Sequence, residues 1–424
     1  MYRMEERPTS SLRCRCESRY PSFDTDLGGR VNVQRLLIAS IFKTEFTEPF
    51  RWPSHADFVR LSLCEESRVR IAQVAPLVES VPPKLYGGTE RVVSYLTEEL
   101  VRMGHEVTLF ASGDSVTSAH LVPVCPEALR LSKTSIDHLA HHIVMLEDVY
   151  NGNNSFDIIH FHIDYLHFPF SRRESVANVT TLHGRLDIPD LQPLYQRFAD
   201  VPVVSISDSQ REPLPNANWQ ATVYHGLPKE QYNFHSQQGK YLAFLGRISP
   251  EKGVDRAIEI ASLAGVPLKI AAKVDRADRE YFESMIEPLL NNPLVEFIGE
   301  IGYPDKNEFL GNALALLFPI NWPEPFGLVM IEAMACGTPV IAHPSGSVPE
   351  IVEEGRTGFL VIDAQGAAKA VAHVSQLSRE ECRRSFEERF SATRMARDYV
   401  TLYEKLTRRV VPQVLHLDDG VSVA

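Results

Sequence analysis

Two segments of the chain place charged side chains beside loops that open into helices. In Phe244-Leu245-Gly246-Arg247-Ile248-Ser249-Pro250-Glu251-Lys252-Gly253, the two cations Arg247 and Lys252 follow a short apolar run that reads as a strand. A guanidinium grips a diphosphate through paired hydrogen bonds, and an ammonium acts on it as a point charge. In Pro323-Glu324-Pro325-Phe326-Gly327-Leu328-Val329-Met330-Ile331-Glu332, a loop runs into an apolar stretch that stops at Gly337. Gly327 would let a phosphate approach the backbone, and the amides of Phe326, Gly327 and Leu328 fall where a helix start leaves N–H groups free. Glu332 lies a turn further in, at a depth that suits a carboxylate accepting two hydrogen bonds from a ribose diol. Glu324 precedes the helix, where it could reach a sugar beyond the diphosphate. Each feature also has a plainer reading. Arg247 and Lys252 could be surface cations, with Lys252 paired to a neighbouring Glu. Glu324 could cap the helix, and Glu332, between Ile331 and Met334, could sit on either face.

The elements that would position these residues alternate. A strand at 69–75 leads to Gly87-Gly88, then to a helix at 89–103 with Val92, Leu96, Leu100 and Met103 at helical spacing and Gly104 as its stop. A strand at 107–110 completes a βαβ unit, which demands a parallel sheet. Further strands are expected at 157–161, 179–182, 203–206 and 222–224. After a polar break at 229–239 the alternation restarts. It gives strands at 241–245, 268–272, 295–298, 315–318, 340–342 and 359–361, and helices at 254–264, 279–290, 305–312 and 328–336. A last amphipathic helix is expected at about 392–406. The fold class is therefore α/β: two tandem, doubly wound Rossmann-like domains, with the ligand in the cleft between them beyond the strand C-termini.

We divide the chain into a poorly ordered extension at 1–68, a first domain at 69–228, a second at 229–389, a helix at 390–408 packing back on the first, and a tail at 409–424. A chain of 424 residues exceeds one ordinary core, and 44% hydrophobic with 23% charged residues fits a globular protein. A formal net charge of −12 does not favour nucleic acid, so none is expected as a partner, and an anionic ligand would need a local cluster of cations. The six cysteines show no metal-ligand spacing and read as reduced thiols of a cytoplasmic protein. No apolar run approaches the ~18 residues of a membrane span, and residues 36–42 lack a signal-peptide pattern. A peripheral contact with the inner face of a membrane stays open. Phe23-Asp24-Thr25-Asp26 contains an Asp-x-Asp, a metal-diphosphate signature elsewhere, but it lies outside any βαβ unit and is read as chance.

Taken together, Gly246-Arg247, Glu251-Lys252-Gly253, Glu324-Pro325-Phe326-Gly327, Glu332 eight residues on, and Gly337-Thr338-Pro339-Val340 resemble the retaining glycosyltransferases of the GT-B class, family four. The resemblance covers roughly residues 69–406. It implies that Arg247 and Lys252 clamp the donor diphosphate, that Glu332 binds ribose, and that Glu324 lies by the transferred sugar. Pro83-Lys84-Leu85-Tyr86-Gly87-Gly88-Thr89-Glu90 is similar to the family's glycine-rich loop, which makes Gly87 and Gly88 donor-phosphate and acceptor contacts. Thr181-Leu182-His183-Gly184 resembles its strand-end histidine, which makes His183 a donor-sugar contact. His160 and His162 read as ordinary sheet-edge side chains. One segment departs from the pattern: Tyr224-His225-Gly226-Leu227-Pro228 stands where the family commonly has Asn-Gly, a β-branched residue and Asp.

The expected reaction is transfer of a hexosyl unit from a nucleotide-diphosphate sugar, such as a UDP- or GDP-hexose, with retention and without metal or other cofactor. The acceptor, whether glycan, lipid-linked or small molecule, is not legible, and neither is the oligomeric state. Two alternatives compete: a non-catalytic nucleotide-sugar-binding protein, and an epimerase or phosphorylase on the same scaffold. A phosphorylase would need a lysine in a Schiff-base context, and none stands out.

Overall fold

The computed structural model describes residues 68–84, 87–151, 156–303 and 305–410. The Asp-x-Asp of residues 24–26, the rest of the expected extension before residue 68, Leu85 and Tyr86, and the tail from residue 411 lie outside them.

Two parallel sheets form the frame. The first has β1 (Arg70–Val74), β2 (Glu106–Ser112), β3 (His120–Cys125), β4 (Ile158–Phe161), β5 (Ala177–Thr181), β6 (Pro202–Ser205) and β7 (Asn218–Thr222) in the order β3-β2-β1-β4-β5-β6-β7. The second has β8 (Tyr241–Arg247), β9 (Leu268–Lys273), β10 (Val295–Gly299), β11 (Ala313–Phe318), β12 (Val340–Ala342) and β13 (Gly358–Leu360) in the order β10-β9-β8-β11-β12-β13. All pairings are parallel. Each sheet reverses direction once, between β1 and β4 and between β8 and β11. Such reversals open a crevice at the strand C-termini, where ligands sit in doubly wound folds.

The helices of the first domain are α1 (Gly88–Arg102), α2 (His138–Asn151), α3 (Phe168–Ser171) and α4 (Leu191–Arg197). The second carries α5 (Val254–Ala264), α6 (Asp305–Gly311), α7 (Leu328–Ala335), α8 (Val348–Ile351), α9 (Ala364–His373) and α10 (Arg379–Arg389). The last helix, α11 (Ala392–Val410), packs against α1 and β5 of the first domain and buries Met395, Tyr399, Leu402, Tyr403 and Leu406. The chain crosses between domains twice, and the crossings are bonded to each other. Leu227 N–H donates to Phe390 C=O at 2.9 Å, and Ala392 N–H donates to Leu227 C=O at 2.9 Å. One hydrophobic cluster runs from Ile71 and Val92 through Phe326 and Met330 to Tyr399 and Tyr403. No helix among the described residues is long and apolar enough to cross a membrane.

Three sequence expectations need correction. The strand placed at 222–224 is instead Asn218–Thr222, which pairs with β6; only Val223 N–H continues the ladder, to Ser205 C=O at 2.9 Å. The helix expected over 279–290 breaks into an α turn (Arg279–Tyr281), a π turn (Phe282–Ile286) and a 3-10 turn (Glu287–Asn291). Pro288 is the cause, since it has no N–H for the ladder and its ring crowds the preceding turn. Finally, β3, α2, α3, α4, α8, α9 and α10 were not foreseen.

Candidate active site

The two reversals face one cleft of about 540 Å³. All ten expected site residues line it: Gly87, Gly88, His183, Arg247, Lys252, Glu324, Phe326, Gly327, Leu328 and Glu332. Seven Lys and Arg side chains against five Glu also line it, so the lining is locally cationic in a chain of net charge −12.

On the second-domain side, Arg247 is the last residue of β8, and Lys252 ends the short 3-10 turn Pro250–Lys252 that follows. Both cations are paired. Arg247 Nη2 donates to Glu251 Oε1 at 2.5 Å, and its Nε lies 3.6 Å from Asp278. Lys252 reaches not a neighbour in sequence but Glu324, whose Oε2 also accepts from Trp322 Nε1 at 2.9 Å. The Lys252 ammonium lies 4.9 Å from the centre of the Trp322 ring. Glu324 is therefore an ion-pair partner and not a helix cap. The cap position belongs to Gly327, which makes no side-chain cap bond to the first amides of α7.

Two glycines make that loop possible. Gly327 has φ 79°, and a Cβ there would fall 2.8 Å from Met330 Cε. Gly346 has φ 60°, and a Cβ there would fall 2.4 Å from the Glu324 backbone. Around Gly346, Ser347 N–H donates to Glu324 C=O at 3.0 Å, Ser345 Oγ to Trp322 C=O at 2.8 Å, and Ser347 Oγ to Phe326 C=O at 2.8 Å. The turn 345–347 thus fixes the Glu324 loop from behind. Across the cleft, a Cβ on Gly88 would lie 3.7 Å from Leu328, so the start of α1 faces the start of α7.

Glu332 resolves to the buried face, at 3% exposure. It accepts from Lys306 Nζ at 3.0 and 3.3 Å and from Tyr232 hydroxyl at 3.2 Å. Burial pushes its pKa up, but Lys306 and Arg91 outweigh burial and hold the carboxyl below its ordinary value. Arg91 comes from α1, so an attraction from the first domain reaches the second-domain carboxylate.

The first-domain side is different in kind. His183 follows β5, and its Nε2 lies 2.9 Å from His162 Nδ1. His160 and His162 are not sheet-edge residues. β4 lies between β1 and β5, and both rings are buried. His225, in the segment that departs from the family pattern, stacks on His183 with centroids 5.3 Å apart and meets Phe326 edge-on at 4.8 Å. Burial pushes His183 down to about 3 and holds His160, His162 and His225 well below the ordinary histidine range, so all four are neutral near pH 7.

Sequence reading missed Arg91, Lys306, His225 and Trp322, all of which line the cleft. Arg91 had a signal, since it lies in the first turn of the helix after Gly87-Gly88. Lys306 had none, because only the fold brings it to Glu332. Among the described residues, no group of three His, Cys, Asp or Glu side chains could hold a metal ion.

Residues 229–393 match the family described as glycosyl transferases group 1, and residues 86–213 match glycosyltransferase family 4. An uncharacterized glycosyltransferase of Methanocaldococcus jannaschii is 25% identical over 334 residues, covering 68% of this chain and 85% of that protein. The N-acetyl-alpha-D-glucosaminyl L-malate synthase of Bacillus anthracis is 25% identical over 366 residues, covering 76% and 95%. Among solved structures, a glycosyltransferase involved in avilamycin A biosynthesis superposes with a TM-score of 0.65 at 24% identity, over 80% of this chain and 98% of that one. With its two Rossmann-like domains and these matches, the chain belongs to the group 1 glycosyltransferases of the GT-B fold.

Proposed function

We propose that the protein transfers a hexosyl unit from a nucleoside-diphosphate sugar to a glycan, lipid-linked or small-molecule acceptor, with retention and without a divalent metal. The observation that carries this reading is the convergence on one cleft of Arg247, Lys252 and the uncapped start of α7, with Glu332 one turn deeper. The diphosphate lies against the two cations and the amides of Phe326, Gly327 and Leu328, and Glu332 accepts from the ribose diol. These groups offset the negative charge that builds on the leaving phosphate as the glycosidic bond breaks, which a metal does in other enzymes. The diphosphate displaces carboxylates from the cations: Glu251 from Arg247, and Glu324 from Lys252. Glu324 then stays beside the transferred sugar. Gly87 and Gly88 bring backbone close to the donor phosphate and the acceptor, and His183 contacts the donor sugar. Retention fits attack on the face that the phosphate leaves, with a phosphate oxygen taking the acceptor proton.

The test is a panel of nucleotide sugars incubated with the protein in the presence of EDTA, following nucleoside diphosphate release. One donor should be slowly hydrolysed, and Lys252→Ala should cut the release about 10²–10³-fold. Release only on adding a divalent cation would overturn the metal-free mechanism. No release, with no thermal shift from any donor, would overturn the transferase reading in favour of a non-catalytic protein.

A further inference from the structure

His183 ends a chain of hydrogen bonds that runs from the cleft to the last helix. From His162, whose Nδ1 faces His183, the chain continues through His162 Nε2 to the Gln73 carboxamide oxygen at 2.8 Å. The Gln73 nitrogen donates to the Tyr403 hydroxyl at 3.2 Å. That hydroxyl lies 2.7 Å from His160 Nδ1, and His160 Nε2 lies 2.7 Å from Thr181 Oγ1. Gln73, His160, His162, Thr181 and Tyr403 are all buried.

Donor and acceptor chemistry gives the chain a direction. The oxygen of a carboxamide only accepts, so His162 carries its proton on Nε2. A neutral imidazole has one N–H, so His162 Nδ1 accepts, and His183 must donate from Nε2. His183 is left with a bare Nδ1, and that buried nitrogen has no hydrogen-bond partner among the described residues. The residue type at position 73 matters here. A carboxylate would orient His162 equally well but would draw a proton onto the rings. An imidazolium beside an oxocarbenium-like transition state would repel it. The carboxamide supplies orientation without charge.

We propose that Gln73 and Tyr403 are positioning residues for the transfer reaction: acting through His162, they hold His183 in one orientation and in the Nε2–H tautomer, leaving Nδ1 to accept from a hydroxyl of the bound sugar. This rests on the transferase reading above. It also makes α11 part of the site, because Tyr403 lies 330 positions from Gln73 in the chain.

The test uses the full chain labelled with ¹⁵N-histidine. A two-bond proton–nitrogen correlation spectrum reports the tautomer of each ring, and His183 is assigned by the signal lost in His183→Gln. Wild-type His183 should show a protonated Nε2 and a bare Nδ1. In Gln73→Leu and in the milder Tyr403→Phe the tautomers should mix. With UDP-glucose and GDP-mannose as probes, kcat should fall about tenfold in both variants, while KM stays within about twofold. A wild-type His183 protonated on Nδ1, or tautomer and kcat unchanged in both variants, would overturn the proposal. A wild type that turns over no donor overturns the transferase reading instead, and is told apart from a wild type that turns over donor as fast as both variants.

Discussion

The two walls of the cleft solve different electrostatic problems. The second-domain wall lines the cleft with full charges, several of them largely buried, and neutralises them in pairs: Arg247 with Glu251, Lys252 with Glu324 and Lys306 with Glu332. The first-domain wall buries four polar rings and keeps them uncharged. Paired charges that open on a cleft can trade one anion for another, because both states are compensated. Buried neutral rings cannot gain a proton without losing solvation they have no means to replace. One wall is built to exchange partners and the other to hold still, and the two should fail under different insults.

Acid gives the largest contrast. His160, His162, His183 and His225 are all depressed by burial. Their folded pKa values lie below the unfolded value of about 6.5, so below that pH the unfolded chain binds more protons. Stability is therefore full above about pH 6.5 and falls as pH drops. Each depressed ring adds to that loss, so the fall should be steep just below about pH 6.5. Urea unfolding at successive pH values should show that loss. If stability held until about pH 4.5, where carboxylates begin to protonate, the paired charges of the other wall would be the weaker element and the contrast would fail.

The next effect is on turnover. On the proposed mechanism, Lys252→Ala removes one of the groups facing the leaving phosphate, and it leaves Glu324 without its cation. Donor hydrolysis should fall about 10²–10³-fold, in the range seen when one preorganised transition-state donor is lost. Global stability should fall less than the rate, because the vacated site opens on the cleft and Trp322 still donates to Glu324. A loss of stability comparable to the loss of rate would mean that the pair is structural.

Binding comes third. Glu332→Gln should weaken UDP binding roughly tenfold or more, since hydrogen bonds to a charged group contribute about 1.5–3 kcal/mol. Calorimetry with 2′-deoxy-UDP sharpens this. The wild type should prefer UDP, and the variant should lose much of that preference. A variant that still discriminates as the wild type does would place the ribose elsewhere.

What the sequence showed and what it hid follow from how the two walls are made. The Arg247–Lys252 and Glu324–Glu332 segments are contiguous loops opening into helices, so spacing made them candidates and the family resemblance assigned their roles. The histidine wall is assembled from β1, β4, β5 and α11, and no local pattern links Gln73 to Tyr403. His160 sits in Ile158–Phe161, where every residue is buried, so alternation could not mark its face. The same limit applied to elements. α10 is REECRRSFEER, whose few apolar positions give no clear stripe, and it was missed. α2 leaves Leu139, Ile143 and Val144 exposed, which blurs its period.

The smallest effect tests how the paired wall is tuned. Glu324 is held by two donors, the ammonium of Lys252 and the indole N–H of Trp322. Trp322→Phe keeps a ring under the Lys252 ammonium but removes the second donor. The carboxylate keeps its charged partner, so the loss is that of one hydrogen bond to a charged acceptor, near the low end of about 1.5–3 kcal/mol. Turnover should fall roughly tenfold, well short of the loss in Lys252→Ala, and acid stability should be unchanged because no histidine is touched. If Trp322→Phe cost as much as Lys252→Ala, the indole would be holding Glu324 against the lysine rather than beside it. The second-domain wall would then be as fixed as the first, and the two walls would no longer differ in kind.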